Sequence, residues 1–229
     1  MNKILRIERI PAVLATSYEK ATRLAIESYY CQVAEEIVAD FKEGALLDLG
    51  TGPGYLPVEI AKRSPAITIL GVDLSRKLIR MAGANALRAR VADRVRFEVG
   101  NAAKLRYNDD AFDMVTSTGM LHSLKNPTAV LSEMMRVLKP EGQAWIYDPA
   151  RIIRYIDKNK WKASLNMRER FFLRVFGLLG LHKPISVYHR DQVIPMIEDA
   201  GFRSYVIEEG DGEIRMKLKK QTKASVENQ

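Results

Sequence analysis

The stretch LLDLGTGPGYLP, Leu46–Pro57, ends an apolar run with an acid and then sets glycines at 50, 52 and 54. Glycine removes the Cβ where a ligand approaches the backbone and permits φ > 0 in a sharp turn. A helix that starts just after such a turn leaves free N–H donors. Taken alone, the glycines serve a tight turn as well as a cofactor loop, so the flanking chain has to decide. ALLDL before them has the length of a strand. GYLPVEIAKRSP after them reads as a helix, with Pro57 in its first turn and Pro65 at its exit.

Further out, the same alternation repeats. ITILGVDL reads as a second strand, and SRKLIRMAGANALRARV as a helix opened by Ser75 as N-cap. RVRFEVG and AFDMVTS are strands three and four. PTAVLSEMMRVLKP is a helix bounded by Pro127 and Pro140, and GQAWIYD is strand five. Upstream, residues 18–42 place Leu24, Ala25, Tyr29, Val33, Ile37, Val38 and Phe41 mostly three or four apart, an amphipathic helix that Gly44 ends. Strand–helix alternation implies βαβ crossovers and a parallel sheet with helices on both faces. The end differs: RSYVIEEGDGEIRMKLKK holds two strand-like runs around Gly210-Asp211-Gly212, an antiparallel hairpin closing the sheet edge. No internal repeat or low-complexity tract is present, and TKASVENQ at the end reads as frayed.

The chain of 229 residues is long enough to bury a full core. Its apolar fraction of 47% and charged fraction of 28% suit an ordinary globular protein. The first residues, MNKILRIERIPAVLA, are broken by Lys3, Arg6, Glu8 and Arg9 and do not read as a signal peptide; no apolar run is long enough to span a bilayer. The single cysteine, Cys31, suits a reducing, cytoplasmic setting and reads as a buried structural thiol in a helix. The net charge of +8 is concentrated: residues 151–183 carry nine Lys or Arg against Asp157 and Glu169, a net +7.

In a parallel α/β sheet, ligands bind outside the carboxyl ends of the strands, where the glycine loop falls. Asp48 would repel a pyrophosphate there but suits a cationic ligand. The G-x-G-x-G spacing departs from the G-x-G-x-x-G of dinucleotide binders. Asp73, ending strand two, is placed to accept from both hydroxyls of a ribose. Dinucleotide binders share that last feature; Asp48 and the G-x-G-x-G spacing are what disfavour a dehydrogenase.

At this point the sequence resembles the class I S-adenosylmethionine-dependent methyltransferases. LLDLGTGPGYLP, GVDLS, VGNAAKL, FDMVTSTGMLHSL and LKPEGQAWIYD occur in that family's order, a close match over about residues 45–150 and a looser one over 187–220. The resemblance implies a doubly wound, seven-stranded, mostly parallel sheet with an antiparallel last strand and helices on both faces. It divides the chain into an N-terminal helical cap (1–44), a Rossmann-like cofactor-binding core (45–150), a basic helical insert after strand five (151–186), and a C-terminal helix and hairpin (187–229). The cofactor implied is S-adenosylmethionine, leaving as S-adenosylhomocysteine.

The resemblance also assigns roles. Asp48 and the loop residues Gly50, Thr51, Gly52 and Gly54 would hold the methionine end. Asp73 would bind the ribose, with Leu74 packed on the adenine. Asn101 and Ala102 fall where the family often has an acid and a small residue that meet the adenine edge; the amide oxygen of Asn101 can still accept from an amino group. Ser117 and Thr118 would border the methionyl part and the sulfonium, and Tyr18 on the N-terminal helix would touch it from above. Glu141 stands where the family commonly has glycine.

Methyl transfer from a sulfonium is a displacement at carbon, so the protein chiefly holds nucleophile, methyl and sulfur in line and excludes water. A base is needed only where the acceptor must lose a proton early. His122 in GMLHSL is the candidate base; a structural histidine packing the cofactor rim is the alternative. His189 reads as a helix-start residue, and Tyr29 and Tyr30 as core. No metal site is expected: clusters with ligand spacing are absent, and Asp109 and Asp110 read as a solvated turn.

The insert offers three readings. MRERFFLRVFGLLGL sets Phe171, Phe172, Val175, Phe176, Leu178 and Leu179 against Arg168, Arg170 and Arg174, and Trp161 lies nearby. It is a lid over a hydrophobic or anionic small-molecule acceptor, a surface for an anionic membrane, or, least favoured, a track for nucleic acid, for which stacking aromatics are interleaved only at Trp161. The function expected is therefore methyl transfer to a small molecule under a lid. The rivals are a non-catalytic or regulatory adenosyl-cofactor binder, an enzyme using the cofactor without methyl transfer, and a methyltransferase of a membrane-associated lipid or quinone.

Overall fold

The structure, a computed structural model, describes residues 15–24, 29–149, 163, 165–167, 170–171, 188–210 and 213–222. The helix expected over 18–42 is found as α1 (Ala15–Leu24) and α2 (Cys31–Asp40), with Tyr29 and Tyr30 in a π-type turn just before α2. Gly44 does not end it. That glycine opens β1 (Gly44–Leu49) at φ +120°, and a Cβ there would fall 2.8 Å from the Asp113 carboxylate, which accepts from Ala45 N–H.

Then follow α3 (Tyr55–Arg63), β2 (Ile67–Asp73), α4 (Arg76–Arg88), β3 (Val95–Val99), β4 (Phe112–Thr118), a 3₁₀ turn (Leu121–Ser123), α5 (Pro127–Val137) and β5 (Leu138–Pro149). The last elements are α6 (Arg190–Asp199), β6 (Ser204–Gly210) and β7 (Glu213–Lys219). The starts obey local chemistry. Ser75 Oγ accepts from Leu78 N–H, Asn126 Oδ1 accepts from Ala129 N–H, and Pro127 takes the first helical position of α5, where its missing N–H costs nothing.

One seven-stranded sheet runs in the order β3-β2-β1-β4-β5-β7-β6. The first five strands are parallel, and β7 is antiparallel to both β5 and β6. The hairpin therefore does not simply extend the edge: β7 inserts beside β5 and leaves β6 outermost. Its turn residues 211–212 lie outside the described residues, as do most of the expected insert, including Trp161, Phe172, Phe176 and His182.

Both faces of the sheet are covered, as parallel sheets require. Leu47, Leu49, Val115 and Ile146 pack under Val130, Leu131 and Met134 of α5 and Val193 and Ile197 of α6. Leu46, Met114, Trp145 and Tyr147 pack under Val33 and Ile37 of α2 and Leu56 and Ile60 of α3.

Strand five is longer than expected because Leu138 already pairs with Phe112; the register then shifts before Met114 pairs with Gln143. Glu141 lies in that irregularity at φ +66°, a left-handed backbone that favours glycine. Its strain is offset at its own site: Oε2 pairs with Lys219 at 2.7 Å and its N–H donates to Lys220 O at 2.9 Å. The strand order reverses between β1 and β4, so the crevice at their carboxyl ends is the place for a ligand.

Candidate active site

The glycine loop is tied to the end of β2. Gly50 and Thr51 N–H groups both donate to Val72 O, and Gly52 N–H donates to Asp73 Oδ2 at 3.0 Å. Ser75 N–H donates to Asp73 Oδ1 at 2.7 Å. The Asp73 carboxylate is thus fixed in orientation at the end of β2. Gly54 adopts φ +76°, and a Cβ there would lie 2.7 Å from Phe97 and 2.8 Å from Ala82. Only glycine allows the turn to lie this close to α4 and β3.

Asp48 is fully buried and accepts from the Thr116 hydroxyl at 2.8 Å. Burial pushes its carboxyl up to about 7, against the opposing pull of hydroxyl hydrogen bonds. A buried acid poised to ionise is a ready partner for a cation. The Tyr18 ring lies 3.6 Å from where a Gly52 Cβ would be. Burial, and then the charge of Asp73, push its phenol up to about 12. Tyr30, buried, feels Tyr18 and Asp48 in the same way after the larger effect of burial. Tyr30 packs in the core as its place in an apolar helical pattern reads, within electrostatic reach of this corner. Tyr29 is the core residue expected, donating to Glu213 at 2.9 Å.

Asn101 and Ala102 follow β3, beside the end of β2, where Gly100 N–H donates to Asp73 O. Asn101 is exposed, and its amide oxygen accepts from Ala103 N–H at 2.9 Å; one lone pair and the amide N–H donors remain. Ala102 is buried and Leu74 half-buried. Ser117 pairs in register with Leu49, and its buried hydroxyl finds no partner among the described residues. Thr118, half-buried, ends β4 beside Tyr147. Met120 packs where a Gly50 Cβ would be, linking the glycine loop to the turn that carries His122.

That turn holds an arrangement the linear pattern hides. His122 Nδ1 lies 2.9 Å from Asp148 Oδ1, and His122 N–H donates to Asp148 Oδ2 at 3.0 Å. Asp148 is 1% exposed at the end of β5. A carboxylate accepts only, so Nδ1 carries the proton and Nε2 is left with a lone pair. His189, by contrast, starts α6 and accepts no role here; its N–H donates to Gln192. Among the described residues no group of three His, Cys, Asp or Glu side chains could hold a metal ion.

A glycine loop, a buried acid on strand one and a clamped acid on strand two meet at the carboxyl edge of an α/β sheet, an arrangement that suits an adenosyl cofactor. The model of the methyltransferase-domain family matches residues 40–201. A demethylmenaquinone methyltransferase of Lactobacillus johnsonii is 27% identical over 76% of this chain and 75% of its own. The ubiquinone/menaquinone biosynthesis C-methyltransferase UbiE of Geobacter sulfurreducens is 27% identical over 76% of this chain and 67% of its own. A solved structure from Methanococcus maripaludis, described as an S-adenosyl-L-methionine-dependent methyltransferase, superposes with a TM-score of 0.71 at 21% identity, over 91% of this chain and 93% of that one. The chain belongs to the methyltransferase-domain family, and it is an S-adenosylmethionine-dependent methyltransferase.

The residues present fit that cofactor. A buried acid, a clamped acid and an orphaned hydroxyl, Asp48, Asp73 and Ser117, stand at or near the carboxyl ends of β1, β2 and β4, and would meet an ammonium, a ribose and the methionyl part. A pH dependence follows. The ionised form of Asp48 is the one that attracts the ammonium, so cofactor affinity is expected to fall by up to about tenfold per pH unit below 7 and to level off above it. Because this carboxyl stands above its unfolded value, the apo fold holds its full contribution below about pH 4 and loses it as pH rises through about 7. Calorimetric titration between acid and mildly alkaline pH checks the first; thermal melts of wild type and Asp48→Asn check the second. A flat affinity profile counts against Asp48 as the ammonium partner.

Proposed function

We propose that this methyltransferase acts in the cytoplasm on a hydroxylated aromatic acceptor of the quinol type, with His122 as the base that takes its hydroxyl proton. The observation that carries the reading is the His122–Asp148 pair beside the end of β4. A dedicated, oriented base serves an acceptor that must lose a proton to become nucleophilic, and it adds nothing for a neutral amine. The relatives named for demethylmenaquinone and for menaquinone biosynthesis support a quinone-type acceptor.

Bound S-adenosylmethionine supplies the methyl as an electrophile. Asp48, Asp73 and the glycine loop hold the nucleoside and methionyl ends so that the methyl faces the acceptor. His122 Nε2 accepts the hydroxyl proton, and the released electron pair raises the nucleophilicity of the oxygen and of the ring carbon beside it. Asp148 holds the imidazole in the accepting tautomer and stabilises the imidazolium that forms. After attack through carbon, the ring proton passes to solvent as aromaticity is restored, and the His122 imidazolium returns its proton to the product oxygen.

The test is turnover with isotopically labelled cofactor and a water-soluble, short-chain demethylated naphthoquinol. Release of S-adenosylhomocysteine with a singly methylated naphthoquinol is expected. Methylation of amines with no turnover of any quinol or phenol overturns the reading.

A further inference from the structure

We infer that Glu133 and Arg136 of α5 are positioning residues for the cofactor: together they hold the loop whose first residues, Asn101 and Ala102, meet the adenine. That loop, residues 100–111, joins β3 to β4 without a helix or strand of its own; it has one isolated bridge, between Asn101 and Lys104. Backbone outside a ladder has to find its hydrogen bonds elsewhere. Here α5 supplies them. Leu105 N–H donates to Glu133 Oε2 at 2.6 Å. Leu105 O accepts from Arg136 Nη2 at 3.3 Å, and Tyr107 O accepts from Arg136 Nη1 at 2.7 Å. The two side chains also grip each other, Arg136 Nε donating to Glu133 Oε1 at 2.8 Å and Nη2 to Oε2 at 3.0 Å. Such a two-pronged pair fixes the planes of both groups, which a single ion contact does not. Nη1 continues to Asp109 Oδ1 at 2.8 Å, so one guanidinium spans the loop from Leu105 to Asp109.

The support beneath the clamp is rigid. Val130, Leu131 and Met134 of α5 are each 1% exposed, and Ala102 and Leu105 join the same core cluster. The clamp therefore seats Leu105 on a fixed helix, three residues past Ala102 and four past Asn101. A loop held in place before the ligand arrives does not charge its ordering against binding. Released, it would weaken the hold on the part of the ligand it touches and spare the rest. Among the described residues, the side-chain hydrogen bonds of Glu133 and Arg136 reach no part of the glycine loop, Asp73 or the His122–Asp148 pair. The effect is thus confined to the base end of the cofactor. It rests on the roles given to Asn101 and Ala102 and holds whichever acceptor is methylated.

The experiment is calorimetric titration of the full chain with two ligands, S-adenosylhomocysteine and S-ribosylhomocysteine, which shares the amino acid and the ribose but lacks the base. Glu133→Ala is expected to weaken S-adenosylhomocysteine by about tenfold and to leave S-ribosylhomocysteine within about twofold. Glu133→Gln, nearly isosteric, keeps an acceptor oxygen for Leu105 N–H and is expected to recover part of the loss. Asn101→Ala loses affinity for the same ligand, and the Asn101→Ala/Glu133→Ala variant loses less than the product of the two single losses, because both act through one contact. A merely structural role would weaken both ligands alike, and that result overturns the inference. So does wild-type affinity in Glu133→Ala beside a loss in Asn101→Ala, which leaves the base contact standing without the clamp. An Asn101→Ala variant that binds both ligands as the wild type does removes the base contact and the inference with it. The titrations contain no acceptor, so their outcome is independent of the quinol reading.

Discussion

Asp148→Asn lowers kcat by about 10²- to 10⁴-fold and leaves cofactor affinity within about twofold. The direction follows from hydrogen-bond accounting. Asp148 accepts from two donors, the backbone N–H of His122 and its Nδ1–H. Asparagine offers one acceptor and one amino group. The backbone N–H cannot give up its proton, so it takes the amide oxygen, and the amino group then faces Nδ1. To avoid opposing donors the imidazole must move its proton to Nε2, the atom that has to accept. The substitution is nearly isosteric, so the fold survives and the tautomer changes. His122→Ala is expected to cost as much, and the double variant little more, because the two side chains act as one unit. An acceptor already ionised at neutral pH, such as a nitro-substituted phenol, regains most of the lost rate in either variant. Equal turnover by Asp148→Asn with an unactivated acceptor would falsify the base assignment; a loss shared by the pre-ionised acceptor would reduce the pair to a structural clamp.

Asp73→Ala weakens cofactor binding by about 10²- to 10⁴-fold, from two lost hydrogen bonds to a charged acceptor at roughly 1.5–3 kcal/mol each. The loss has a second source. Asp73 also accepts from Gly52 and Ser75 N–H groups, so alanine releases the glycine loop from β2 as well as the ribose. Asp73→Asn separates the two. It keeps one acceptor oxygen but sets its amino group against one of those N–H donors, so it is expected to bind more weakly than wild type and more tightly than alanine. Calorimetry with S-adenosylhomocysteine gives all three values. An alanine variant that binds within about threefold of wild type removes the ribose role.

Much of this fold was legible because the signals are local. A parallel strand reads as a short apolar run, its helix as a three-four period, and the break between them as Gly, Ser or Pro. Asp48 and Asp73 stand out because each is an acid at the end of an apolar run. What depends on neighbours across the sheet was not legible. His122 and Asp148 lie 26 residues apart and meet only because β4 and β5 are adjacent and in register. Asp148 looks in sequence like the polar end of a strand. Gly44 misled because glycine ends helices and opens strands with equal ease; the Asp113 carboxylate that claims its missing Cβ is far along the chain. The position of β7 was hidden for the same reason, since a hairpin in sequence does not say which of its arms faces the sheet.

That position has a consequence for the chain as it emerges from the ribosome. Strands two to five each pair with a strand already made, but β5 gains its second neighbour only when residues 213–219 appear. Until then a strand ending in Trp145, Ile146, Tyr147 and Asp148 offers one open row of backbone donors and acceptors, a template for pairing with another chain. Asp148 pairs in register with Ile214, so the carboxylate that orients the base is held in a finished sheet only at the end of synthesis. The nascent protein can close its cofactor crevice between β1, β2 and β4 first, and its proton-accepting pair is the last part of the site to be assembled.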